Sequence, residues 1–134
     1  MEAAAASTEI AVLAWSVVLL LLQIVIQGIA TADLGPKYLL GPRDEKLESR
    51  NVLAGRLGRA LQNLLETYPA FIALALALVV TGKAGGIGAT GAWLWLIARV
   101  LYLVLYAMGI PVARTIAWFA SIVGILLMLI RLMS

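Results

Sequence analysis

RALQNLLETYPAFIALALALVV, residues Arg59 to Val80, is the stretch whose reading decides the fold. Its second half, Ala70 to Val80, contains no polar side chain, as a helix in lipid requires. Its first half carries a cation, an amide and a carboxylate into the same helix. Arg59, Asn63 and Glu66 stand at i, i+4 and i+7, which is one helical face. Arg56 extends the stripe by a turn, and Gln62 lies beside it. Ionisable groups in a bilayer are costly and face a bundle interior or a water-filled cavity, so the stripe marks a candidate site. The alternative is a structural clamp, since polar side chains also staple membrane helices together. Pro69 cannot donate to the carbonyl of Leu65, which predicts a local kink and a cleft beside the polar face.

The rest of the chain agrees about the medium. Of 134 residues, 63% are hydrophobic and 13% charged, and the mean hydropathy is +1.03. That is far above the roughly half-apolar usage of soluble domains, and it predicts a single all-α membrane domain over residues 1–134. There is no cysteine, hence no disulfide and no protein thiol nucleophile. There is no histidine, and with it goes the commonest metal ligand and general base; no metal site is expected.

Four apolar segments are predicted as spans, over about 10–30, 51–81, 90–110 and 112–133. Because lipid offers the backbone no hydrogen bonds, each is a helix, and the four form a bundle. The first segment lacks a basic leading region and reads as a retained span, with Glu2 and Glu9 before it. Residues 31–50 form a polar loop punctuated by Gly35-Pro36 and Gly41-Pro42, and it carries Lys37, Arg43, Lys46 and Arg50. A glycine-rich connection runs from Gly82 to Gly91, and a tight turn lies at Gly109-Ile110-Pro111. The positive-inside rule places the first loop in the cytoplasm and both termini outside, or in the periplasm if the cell is Gram-negative.

A second polar stripe answers the first. Arg99, Tyr102 and Tyr106 fall at i, i+3 and i+7 on the third span. Arg99 is flanked by apolar residues and cannot lose its proton to escape burial, which sets these tyrosines apart from an interfacial belt. Trp93, Trp95 and Trp118 are expected to supply that belt instead. Arg114 opens the fourth span; a charge at a helix end is often only that, yet it lies level with the other arginines. Together Arg56, Arg59, Arg99 and Arg114, with Glu66, Asn63, Tyr102 and Tyr106, suit a small ligand bearing several carboxylates and an amine. A carrier of lipophilic cations is a competing reading, disfavoured because Glu66 is surrounded by arginines. The small net charge of +3 gives no reason to expect a nucleic-acid partner.

The pattern R-x-x-x-N-x-x-E-x-x-P at Arg59, Asn63, Glu66 and Pro69, followed by R-x-x-Y-x-x-x-Y at Arg99, Tyr102 and Tyr106, resembles the MAPEG family. Its members are membrane-associated proteins of eicosanoid and glutathione metabolism. The resemblance implies a homotrimer of four-helix subunits binding glutathione between subunits, near the cytoplasmic face. By position, Arg59, Asn63 and Glu66, with Arg56 and Gln62 alongside, would hold the tripeptide, and Arg99, Tyr102 and Tyr106 would complete the pocket. Arg114 matches the arginine that stabilises the glutathione thiolate. The substrate would be a lipophilic electrophile or lipid hydroperoxide arriving from the bilayer; a non-catalytic member binding lipid or a small ligand is the alternative. This chain departs from the family where an arginine often ends the first helix, having Gln23, Gln27 and Thr31-Ala32-Asp33. Thr115 and Trp118 stand where some synthases have serine and tyrosine.

Overall fold

Four long helices carry the chain: α1 (Thr8–Ala30), α2 (Val52–Val80), α3 (Gly86–Met108) and α4 (Pro111–Met133). They are seen in a computed structural model that describes residues 6–42 and 51–134. Arg43, Lys46 and Arg50, three cations of the first loop, lie outside the described residues. All four helices are long and apolar enough to cross a membrane. The protein is a multi-pass membrane protein with a four-helix bundle.

Local chemistry sets where the helices begin. Ser7 caps α1 by accepting from the Ile10 N–H at 3.3 Å. Asn51 caps α2, its Oδ1 accepting from Leu53 N–H at 3.0 Å, while its Nδ2 donates to the Ala30 carbonyl at 3.2 Å and ties α1 to α2. Gly109, at φ +75°, ends α3 in the left-handed conformation, and Pro111 starts α4 where its missing N–H costs nothing. The expected loop after α1 contains two short helical pieces, Ala32–Leu34 and Pro36–Leu40, joined at Gly35.

α2 has 29 residues, about 43 Å at 1.5 Å per residue, against a hydrocarbon thickness of about 30 Å. The polar residues Arg56, Arg59, Gln62, Asn63 and Glu66 all fall in the first half of the helix, and the apolar second half alone is free of them. The helix continues through Pro69 as one element.

Two expectations are corrected by the packing. The glycine-rich connection shrinks to residues 81–85, because Gly86, Gly88 and Gly91 belong to α3. The reason is close approach to α4. A Cβ on Gly91 would lie 2.5 Å from the Gly124 carbonyl oxygen, and one on Gly124 would lie 2.6 Å from that of Gly91 and 2.8 Å from the Trp95 nitrogen. Small residues let membrane helices meet backbone to backbone. Gly124→Ala is therefore expected to destabilise the fold by about 1–3 kcal/mol, since main chain cannot step aside. Gly28→Ala on α1, where nothing lies within 4 Å, should be neutral or slightly stabilising. Thermal midpoints in detergent compare the two.

The second correction is Trp95. It is wholly buried and stacks on Phe71 of α2, with centroids 3.9 Å apart and rings 7° from parallel. It sits nine residues into α3, about 14 Å, which is mid-bilayer depth rather than the interface. Tyr68 joins this cluster and shares a 2.8 Å hydrogen bond with Ser16 of α1. Ser16 is one of three buried polar residues, Glu9, Ser16 and Gln23, spaced seven apart on the inner face of α1.

Candidate functional site

The two polar stripes meet where the end of α3 and the start of α4 face the first half of α2. Asn63, Tyr102, Tyr106, Arg114, Thr115 and Trp118 line one pocket of about 190 Å³. The helix spacing explains the set: Tyr102 and Tyr106 are one turn apart on α3, and Arg114 and Trp118 one turn apart on α4. The pocket thus takes residues from three helices.

Tyr106 is its hub. The Arg114 guanidinium lies over the ring at 4.3 Å from the centroid, and Arg59 Nε donates to the hydroxyl at 3.1 Å. Tyr102 meets Tyr106 edge-on at 5.5 Å, and the Arg99 guanidinium covers Tyr102 at 4.4 Å. Cation–π contacts strengthen when desolvated, to about 2 kcal/mol. Two aromatic rings are interleaved with three guanidinium groups.

Arg99 is 1% exposed and donates from Nη1 to Asn63 Oδ1 at 2.9 Å, joining α3 to α2. Its Nε is buried without an acceptor. Trp118 Nε1, in the pocket wall, is likewise buried and unpaired. An indole N–H can only donate. Thr115 turns its hydroxyl back to the Pro111 carbonyl at 3.0 Å.

Arg114 lies in the first turn of α4, where unpaired N–H groups and the macrodipole already favour negative charge. A cation added there sharpens the field. The pocket combines the Arg114 charge with the polar side chains of Asn63, Tyr102, Tyr106 and Thr115, a lining that suits a negatively charged group.

The sequence stripe on α2 divides in the fold. Asn63 enters the pocket wall and Arg59 reaches it through Tyr106. Arg56 instead donates to the Ala107 carbonyl at 3.3 Å, against the C-terminal end of α3, where a cation is favoured. Gln62 and Glu66 are exposed and do not line the pocket, although Glu66 is near enough to Arg99 and Tyr102 to interact with them electrostatically. Tyr102, 5% exposed, is an interior residue as its spacing predicts. Trp118, expected in an aromatic belt, is part of the pocket; its i+4 relation to Arg114 is the signal that places it there.

These features define a polytopic four-helix membrane protein with a pocket lined by arginine and tyrosine at one end of the bundle. The MAPEG family model matches residues 11–134, nearly the whole chain, and the protein belongs to the MAPEG family. No curated protein and no solved structure is matched by the chain.

Proposed function

We propose that the protein binds glutathione in the Asn63, Tyr102, Tyr106, Arg114 pocket and presents its thiolate to lipophilic electrophiles or lipid hydroperoxides. The observation that carries this reading is the Arg114 guanidinium, fixed over Tyr106 at the start of α4 in a pocket that offers donors and positive charge. Family membership supports it, because the MAPEG family includes glutathione-dependent transferases and peroxidases. Arg114 is the residue assigned to the sulfur: a thiol with pKa near 8.5 is mostly protonated at neutral pH, and an adjacent cation lowers that value. Bound there, glutathione supplies the nucleophile. Conjugation forms a carbon–sulfur bond and expels halide from an aryl halide; reduction consumes two thiols per hydroperoxide, giving disulfide, alcohol and water.

We further infer that the site is completed by a second copy of the chain in a homotrimer. The pocket of one subunit, about 190 Å³, is below the roughly 300–1,000 Å³ of small-molecule sites. Arg59, Gln62 and Glu66 are exposed along a membrane-spanning helix, and such groups need protein or water over them. In the assembled site Glu66 and Gln62 would meet the ammonium and amide groups of the tripeptide. The basic first loop favours a pocket on the cytoplasmic side with both termini outside, and the membrane assigned to this bacterial-type member is the inner one.

The test is calorimetric titration of glutathione into the detergent-solubilised protein, with its mass measured by light scattering. Saturable binding at micromolar to millimolar ligand and a trimeric mass are expected. No heat at millimolar glutathione would sink the reading. Binding without turnover of aryl halides or hydroperoxides would mark a non-catalytic member.

A further inference from the structure

Away from the arginine pocket, α1 and α3 form an apolar groove on the outside of the bundle. The two helices start at the same end, where Glu9 Oε1 of α1 accepts from the Gly85 N–H at 2.9 Å. The floor of the groove is three buried leucines, Leu19, Leu96 and Leu103. Its walls are half-exposed side chains, among them Val18 at 52% and Val100 at 42%. Trp15 and Trp93, each seven residues into its helix, stand at one end, and Val104 lies towards the other.

From Trp93 to Val104 the groove follows α3 for about 16 Å, at about 1.5 Å per residue. That stretch lies within the span, so the groove sits in a hydrocarbon layer of about 30 Å. Its rims continue into the bilayer-facing surface, where Leu21 and Leu101 are exposed beside them. The occupant is therefore apolar, and it is either a lipid chain or a helix of a second copy.

The lining favours the chain. Membrane helices meet closely through small residues, as Gly91 and Gly124 let α4 meet α3. All nine residues of the groove are Trp, Leu or Val, so a second backbone is held off. A helix with its side chains is about 10–12 Å across, too wide for a space of about 370 Å³ drawn out along about 16 Å. The exposed polar residues that call for a second copy, Arg59, Gln62 and Glu66, belong to α2 instead. A hydrocarbon chain is thin enough and long enough. Lipid tails and the groove are equally apolar, so the gain on binding is contact rather than transfer. A chain in the groove touches the floor and both walls, whereas a gap there forfeits that dispersion energy. A straight chain can follow the groove; a methyl-branched one leaves gaps or clashes.

We propose that the α1–α3 groove is a binding site for one straight acyl chain of a bilayer lipid. It is separate from the arginine pocket: α3 gives Tyr102 and Tyr106 to that pocket and Val100, Leu103 and Val104 to the groove. The site does not rest on the glutathione reading.

Trp15 and Trp93 report on the site. Bromine quenches indole fluorescence on contact, so a lysophosphatidylcholine with a brominated chain is titrated into the full chain in detergent. Quenching is expected to saturate at a small mole fraction of the bromolipid. It should be lost in Trp15→Phe with Trp93→Phe, which removes the reporters. It should also be lost in Val18→Phe with Val100→Phe, which fills the groove from two half-exposed positions. With the unaltered protein, an unbrominated straight-chain lysolipid should restore the emission, and a methyl-branched one of equal length should do so several-fold less well. That comparison stands even if the filled variant fails to fold. Quenching that only rises in proportion to the bromolipid is partitioning and overturns the site, as does equal competition by the branched chain. A lower mass of the filled variant by light scattering, with no saturable quenching in the wild type, gives the face to a second copy and also overturns it. Neither result touches the glutathione reading, which is judged by its own titration.

Discussion

Arg114→Ala is expected to lower glutathione-dependent turnover by about 10²–10³-fold, the usual cost of deleting one preorganised charge-stabilising group. Glutathione affinity should change only a few-fold, because Arg59, Asn63 and the tyrosines remain to hold the tripeptide, with Arg99 buried behind them. The loss should also depend on pH. Without the guanidinium the bound thiol ionises near its ordinary value of about 8.5, so the variant's rate should keep climbing towards pH 9 while the wild-type rate levels off earlier. Steady-state rates with an aryl halide at saturating glutathione, from pH 6 to 9, measure both effects. Arg114→Lys should recover part of the rate: it keeps a charge in the first turn of α4 but loses the planar contact with Tyr106. An Arg114→Ala enzyme with an unchanged rate and pH profile would remove the thiolate role.

The bundle was legible because lipid permits few solutions. Four apolar runs of helical length must be helices, and Gly109-Ile110-Pro111 leaves room only for an antiparallel turn. The third-span stripe was legible for the same reason, since Arg99 has to face protein. Three features were not. Gly86, Gly88 and Gly91 look like a loop, because sequence shows their flexibility but not the Arg131 side chain that packs on the first two or the Gly124 backbone that meets the third. Trp95 looks interfacial because a tryptophan in a span reads alike at any depth until Phe71 is found beneath it. The α2 stripe reads as one face, yet sequence does not say how much of it a neighbour covers; Arg99 of α3 bonds Asn63, while Glu66 stays exposed. Glu9 looked like a flanking charge, though its spacing of seven from Ser16 and of fourteen from Gln23 was a signal that it faces inward.

Asn63→Leu is expected to have the largest effect on stability, and it separates a structural clamp from a ligand site. The substitution keeps the side-chain size and removes the acceptor of a guanidinium that is 1% exposed. A hydrogen bond to a buried charge is worth about 1.5–3 kcal/mol, and here its loss leaves Arg99 with neither Asn63 nor a partner at Nε. The expected cost is about 2–3 kcal/mol, read as a lower thermal midpoint in detergent. The double variant Asn63→Leu with Arg99→Met should recover most of that loss, since replacing a buried polar pair by apolar groups of similar volume is often neutral. Stability and binding then part company. If the pair is only a clamp between α2 and α3, the double variant regains its midpoint and binds glutathione as the wild type does. If the pair is half of an anion pocket, it regains its midpoint and does not bind. The coupling energy from the four-variant cycle measures the pair's interaction together with the penalty of leaving Arg99 buried and unpaired in the Asn63→Leu variant. Asn63 lines the pocket, and the buried Arg99 guanidinium lies 4.4 Å from the ring of Tyr102, a second lining residue, so the second outcome is the one the geometry predicts.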